Sequence, residues 1–70
     1  MEETKIKVGG MMCQHCVMHV ANGLKAVKGV KKVSVDLAKG EAVIESKEPL
    51  DETTLKGAIE EAGYEYLGRL

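Results

Sequence analysis

The sequence has few aromatic residues: it contains no Phe, no Trp and only two Tyr. Sheets that recognise RNA stack bases on aromatic side chains, so this composition argues against nucleic-acid binding. The apolar runs are only a few residues long, which argues against a bilayer-spanning helix. The acidic start, Met-Glu-Glu-Thr-Lys-Ile, lacks the apolar segment of a signal peptide, and a cytoplasmic protein without membrane insertion is therefore expected.

Cysteine is also scarce, since the chain contains only Cys13 and Cys16. Thiols are kept reduced in the cytoplasm, where a C-x-x-C pair is more typical of metal binding or redox work than of a structural disulfide. The same pair can serve as a redox couple, as half of a zinc site or as a clamp for a soft metal ion. The surrounding sequence has to decide between these chemistries.

Charge of both signs is present but unevenly distributed. Residues 1–40 contain seven Lys and three acidic residues, a net charge of +4, whereas residues 41–70 contain three basic and eight acidic residues, a net charge of −5. This asymmetry indicates a dipolar surface. A basic cluster that would suit an acidic partner, or would simply be solvated, consists of Lys25, Lys28, Lys31 and Lys32.

Two hydrophobic periodicities divide the chain into six elements. Strands are predicted at residues 5–8, 32–37, 41–45 and 64–67, where apolar and polar residues mostly alternate. Helical spacing of apolar residues predicts two helices, with stripes formed by Val17, Val20, Ala21, Leu24 and Val27 and by Leu55, Ala58, Ile59 and Ala62. The first helix is predicted to end with Lys28 and Gly29, and the second to begin at the N-cap Asp51 and close at Gly63.

The resulting order, β-α-β-β-α-β, predicts a ferredoxin-like fold of the α+β class. Each helix has one apolar stripe and each longer strand has one apolar face. A four-stranded antiparallel sheet with both helices on one face buries these surfaces most economically. No stretch of the sequence is typical of a linker, so residues 1–70 are expected to form a single domain.

The two cysteines lie where the first strand passes into the first helix. Side chains three residues apart on a helix point in similar directions, so both sulfurs can approach one ion. The helix N-terminus favours thiolate over thiol. A structural zinc ion prefers four ligands, for which His15 and His19 are the additional candidates, whereas Cu(I) is a soft ion that needs few ligands. Two thiolates therefore favour Cu(I).

The stretch "GMMCQHC", followed by an apolar-periodic helix, resembles the G-M-x-C-x-x-C motif of heavy-metal-associated domains. The likeness extends to "GV..V.V.L" at residues 29–37 and to "I..AGY" at residues 59–64. It implies a cytosolic copper chaperone whose Cu(I) ligands are Cys13 and Cys16 and whose partner is a copper-transporting P-type ATPase. Met11 would anchor the loop to the core, and Tyr64 would lie near the metal loop, as in prokaryotic members. Met12 departs from the pattern, since Thr or Ser is frequent there.

Several alternatives remain open at this stage. A thiol–disulfide oxidoreductase also uses C-x-x-C at a helix start, although this chain lacks an aromatic residue beside the cysteines. A mercury-binding member of the same family, or one repeat of a copper ATPase, would show the same motif. A metal-bridged homodimer would bury the cysteines and Met18, and could bring His15 to the metal, while His19 is expected to be solvated.

Overall fold

The computed structural model describes residues 2–70, and its elements follow the predicted order. Helix α1 lies between the first two strands and helix α2 between the last two. The strands and helices are β1 (Glu2–Gly9), α1 (Gln14–Lys25), β2 (Val30–Asp36), β3 (Glu41–Ser46), α2 (Glu52–Glu61) and β4 (Glu65–Arg69). Among these described residues, no helix has the length and apolarity needed to cross a membrane.

The four strands form one sheet in the order β2-β3-β1-β4, and every neighbouring pair is antiparallel. In the β1–β3 pair, Ile6 faces Ala42 and Thr4 faces Ile44. Strands β1 and β2 flank β3 and run parallel to each other, so the connection through α1 is the split βαβ unit of the ferredoxin-like fold. The predicted fold class is confirmed.

The core lies between one face of the sheet and both helices. Its fully or almost fully buried apolar residues come from β1 and β3 of the sheet and from the predicted stripes of both helices. Burying each large aliphatic side chain stabilises the fold by about 1.5–3 kcal/mol. These residues are Ile6, Val8, Val20, Leu24, Ala42, Ile44, Leu55 and Ile59.

The two helices end differently, and the predicted end of α1 is wrong. Helix α1 stops at Lys25, and residues 27–30 form a turn in which the Val30 N–H donates to the Val27 carbonyl at 3.2 Å. Gly29 takes the third position of this turn with φ +91°, a conformation that glycine adopts without strain. The glycine signal therefore belongs to the turn that starts β2 and not to the helix C-terminus.

Helix α2 begins and ends where the sequence predicted, at the N-cap Asp51 and before Gly63. The Asp51 side chain accepts a hydrogen bond from the Thr53 N–H at 3.1 Å, which makes Asp51 the N-cap. At the other end, Gly63 N–H donates to the Glu60 carbonyl and Tyr64 N–H to the Ile59 carbonyl, the paired bonds of a Schellman motif. This motif turns the chain so that Tyr64 enters the site described below.

Candidate metal centre

The loop between β1 and α1, residues 10–13, presents the cysteines at one end of the molecule. Gly10 starts the loop with φ +90°, and a Cβ built there would lie 3.7 Å from Cδ1 of the Tyr64 ring. Met11 is half-buried and packs against the core, as predicted for an anchor. Met12 points away, with 86% of its surface exposed. The loop is therefore attached to the core through Met11 and tightly folded at Gly10.

The two sulfurs lie close together and are reduced. Cys13 is the N-cap of α1 in an extended conformation, and Cys16 lies in the first turn. Their Sγ atoms are 3.9 Å apart, far beyond the S–S bond of about 2.05 Å in a disulfide. Two metal–sulfur bonds of about 2.3 Å can span up to about 4.6 Å, so one ion could contact both sulfurs at this separation. The predicted pair is thus brought together in a geometry that one ion can bridge.

The surroundings of the Cys16 sulfur favour its thiolate form. Hydrogen bonding from the Met12 backbone, and then from the Tyr64 hydroxyl, lowers the pKa of Cys16 from 9.0 to about 7, while desolvation opposes the change. The backbone and the side chain of Cys13 add smaller contributions in the same direction. Since Cys16 is half-buried and Cys13 is exposed, the pair combines a stabilised thiolate with an open approach.

Tyr64 is the third side chain of the site. Its ring packs against the core beside Gly10 of the loop, and its hydroxyl is near enough to Cys16 to lower the pKa of that thiol. The hydrogen bond to Cys16, followed by desolvation and by the charges of both cysteines, raises the pKa of Tyr64 above its ordinary value. Tyr64 therefore stays protonated at neutral pH, which keeps its hydroxyl able to donate to the Cys16 thiolate. The prediction that it lies near the metal loop is confirmed by the position of its ring beside Gly10.

The start of α1 leaves its backbone donors without a side-chain cap, at the helix N-terminus that the sequence predicted would favour thiolate. The Cys13 side chain makes no capping hydrogen bond, and the first turn, Gln14-His15-Cys16, contains no acidic residue. The first N–H groups of a helix have no partner within the helix and are available to an anion. The sequence already indicated a missing hydroxyl at Met12, and the structure places the N-cap one residue later, at Cys13.

The two histidines do not join the cysteines in a shared cluster. His15 and His19 both lie on α1 and are both exposed. Within residues 2–70, no three or more His, Cys, Asp or Glu side chains are grouped so that they could hold a metal ion. The described residues therefore do not assemble the four-ligand set that a structural zinc ion prefers.

The segment that carries the sulfurs is uncharged and partly apolar. No Asp, Glu, Lys or Arg occurs between Lys7 and Lys25. Met12 and Met18 are both exposed on this segment, at 86% and 57%. The basic cluster begins where α1 ends, and all four of its lysines are exposed.

Comparison with known proteins places this geometry in a family. Residues 5–65 match the model of the heavy-metal-associated domain. The copper chaperone CopZ of Enterococcus hirae is 39% identical over 62 residues, which cover 87% of this chain and 90% of CopZ. A mercuric reductase of Shewanella putrefaciens is 39% identical over 59 residues, which cover 84% of this chain but only 11% of that enzyme.

A solved structure shows the same fold and a related sequence. The crystal structure of a copper-binding domain from HMA7, a P-type ATPase, superimposes with a TM-score of 0.86 at 34% identity, and the match covers 99% of this chain and 97% of that domain. The family model, the relatives and the shared fold agree. The chain belongs to the heavy-metal-associated domain family.

Proposed function

We propose that this protein is a cytosolic copper chaperone that carries one Cu(I) ion between Cys13 Sγ and Cys16 Sγ. The observation that carries the proposal is the pair of free thiols 3.9 Å apart at an open loop–helix junction. Soft thiolates favour Cu(I) over harder ions, and two of them satisfy its low coordination number. Residues 1–70 act as one domain in this proposal.

The backbone and Tyr64 prepare the site for a soft cation. Because the pKa of Cys16 is about 7, about half of this residue is already a thiolate at neutral pH. The thiolate is the metal ligand, so little free energy is lost to deprotonation when copper binds. Because Cys13 is exposed, an ion bound there is accessible to another protein. No charged side chain between Lys7 and Lys25 would repel a partner of either sign.

Transfer proceeds by ligand exchange on the bound ion. A partner thiolate approaches from the exposed Cys13 side and adds as a third ligand, while both Cu–S bonds to the chaperone persist. Because Cys13 is exposed and both sulfurs lie on the same side of the loop–helix junction, 3.9 Å apart, the third ligand can reach the ion without displacing either of them first. Dissociation of the two chaperone sulfurs, as a second partner thiolate binds, completes the transfer without any change of oxidation state.

The partner we propose is the metal-binding domain of a copper-transporting P-type ATPase. The similarity to the copper-binding domain of HMA7, a P-type ATPase, supports a partner domain with the same fold. The basic cluster at the end of α1 adds charge that an acidic partner surface would attract. The similarity to mercuric reductase supports Hg(II) as the competing cargo, because Hg(II) also favours two thiolates.

Anaerobic competition among Cu(I), Hg(II) and Zn(II), followed by metal and thiol analysis and molecular mass, tests the cargo. We expect one Cu(I) per chain in the wild type and loss of tight binding in the C13S/C16S variant, with the helical circular dichroism retained. Tight Cu(I) binding by that variant would contradict the ligand assignment. Selective uptake of Hg(II) would favour the mercury-binding alternative, and a doubled mass on loading would reveal a metal-bridged dimer.

A matched control addresses the exposed thioethers. The M12L/M18L variant removes both exposed methionine sulfurs near the site and leaves the thiols in place. We expect it to bind Cu(I) with the same stoichiometry and affinity as the wild type. A large loss of affinity in this variant would mean that thioether sulfur contributes to the site.

A second candidate function, thiol–disulfide exchange, is favoured by the same lowered pKa of Cys16. Incubation of the reduced, metal-free protein with a disulfide substrate and a recycling reductant separates the two functions. The copper carrier is expected to show no turnover above that of a small thiol. Sustained turnover together with weak Cu(I) binding would replace the chaperone proposal with an oxidoreductase.

A further inference from the structure

Helix α1 carries a second pair of metal-binding side chains that the copper proposal does not use. His15 and His19 are four residues apart within Gln14–Lys25, and both are exposed. Residues at i and i+4 lie on the same face of a helix, with Cβ atoms about 5–6 Å apart. Two histidines at this spacing are a known way for a helix to present two imidazoles to one metal ion.

The charges around this pair permit a cation to approach. The nearest charged residues along the chain are Lys7 and Lys25, so no lysine or arginine lies within the turn that carries the histidines. His19 also lines the groove between the helices, of about 610 Å³, and Glu61 of α2 lines the same groove. The positive end of the helix dipole opposes a cation at His15, which lies in the first turn, and acts less on His19, which lies one turn further along.

We propose that His15 and His19 chelate a divalent ion of borderline softness, represented by Ni(II) or Zn(II), at a site separate from the thiols. Imidazole suits these ions, whereas two thiolates select softer ones. Because residues 2–70 contain no cluster of three or more suitable side chains, water completes the coordination of the ion. The site is therefore open and exchangeable, and the two imidazoles must act together to hold the ion.

The test uses Ni(II) on the C13S/C16S variant, so that thiols cannot bind the probe and the result does not depend on the copper proposal. Isothermal titration calorimetry is expected to show one Ni(II) per chain, and Ni(II) should raise the unfolding temperature because it binds the folded helix. In this background, H15Q and H19Q should each weaken binding at least tenfold. The double variant should be no weaker than either single one, since losing one imidazole already destroys the chelate.

A register control keeps the number of histidines constant. H19Q/N22H places the imidazoles at positions 15 and 22, about 10 Å apart along the helix axis, which is too far for one ion. We expect this variant to bind no better than H19Q, and its unfolding temperature without metal should match that of the parent. The proposal is overturned if the register variant regains full binding, or if either single glutamine variant binds Ni(II) as tightly as the parent.

Discussion

The two helices of the molecule begin in opposite ways. Helix α2 has an N-cap carboxylate, since Asp51 accepts from the Thr53 N–H, and Glu52 adds negative charge to its first turn. Helix α1 begins at Cys13, whose side chain makes no capping bond, and no acidic residue follows in the first turn. The two halves of the fold have the same strand–helix plan, so the difference lies in the side chains at these two junctions.

The two helix starts have different roles: the start of α2 stabilises the fold, and the start of α1 holds the reactive thiols. At α2 the free N–H groups are satisfied by a permanent acceptor, which stabilises the helix. At α1 no side chain caps the free N–H groups, and the nearby Cys16 thiolate is stabilised by the backbone of Met12 and by the hydroxyl of Tyr64, with a smaller contribution from the backbone of Cys13. A carboxylate at position 13 would place a second negative charge close to the Cys16 sulfur, 3.9 Å from the present Cys13 sulfur, and would raise the pKa of Cys16, so an uncharged N-cap favours the thiolate.

The largest expected effect concerns the pH dependence of Cys16. Its pKa of about 7 in the folded chain, against 9.0 as its ordinary value, makes the folded thiol roughly a hundredfold more acidic. Alkylation of Cys16 by iodoacetamide, followed by peptide mass spectrometry, should be half-maximal near pH 7 in the native protein and near pH 9 in urea. Half-maximal alkylation at the same pH in both states would contradict the proposed activation.

The same shift predicts the sign of a stability change. The folded pKa lies below the unfolded value, so the Cys16 thiolate stabilises the fold. This contribution is complete above about pH 9 and is lost as the pH falls through about 7. Urea unfolding of the wild type should show this dependence, and the C16S variant should not.

Substitutions of Tyr64 and Tyr66 form a matched pair that tests whether the Tyr64 hydroxyl lowers the pKa of Cys16. Y64F removes the hydroxyl that donates to Cys16 and should raise the pKa of Cys16 to a value between about 7 and 9.0. Y66F removes a hydroxyl that donates to Glu52 at 2.8 Å and should leave the pKa of Cys16 unchanged. Equal effects of the two variants in the alkylation assay would show that Tyr64 acts through the fold and not through its hydrogen bond.

The next largest effect is a loss of stability when the N-cap of helix α2 is removed. D51A removes the acceptor of the Thr53 N–H and should lower the free energy of unfolding by about 1 kcal/mol. Urea titration measures the loss, and D51N, which keeps a side-chain oxygen, should recover most of it. Metal binding should be unchanged, since Asp51 lies outside the site. An unchanged midpoint in D51A would mean that α2 does not depend on its cap.

Much of this comparison could be read from the sequence. Period-2 and helical spacing predicted all six elements, because each has one apolar face toward the same core. Asp51 and Gly63 were predicted at the correct ends of α2, since both act through local backbone chemistry. The closeness of the two cysteines followed from their spacing of three residues at a helix start.

The remaining features depend on contacts that local patterns do not encode. The end of α1 was predicted one turn too late because Gly29 is equally typical of a helix end and of a turn with positive φ. The lowered pKa of Cys16 depends on the Met12 backbone and on Tyr64, which is 48 residues further along the chain. Only the packed fold brings that hydroxyl to the thiolate.

The smallest expected effect is a difference in stability between two substitutions of Cys13. Cys13 has the extended conformation of an N-cap, with φ −158° and ψ 177°, and serine is a preferred residue there. At pH 6, where most of Cys16 is protonated, C13S should raise the free energy of unfolding by about 0.5 kcal/mol relative to C13A, while neither variant keeps the two-thiolate site. Urea titration of both variants measures the difference. Equal stability would show that the first turn of α1 gains nothing from a side-chain acceptor. The lack of a cap at α1 would then have no energetic consequence, unlike the cap at α2.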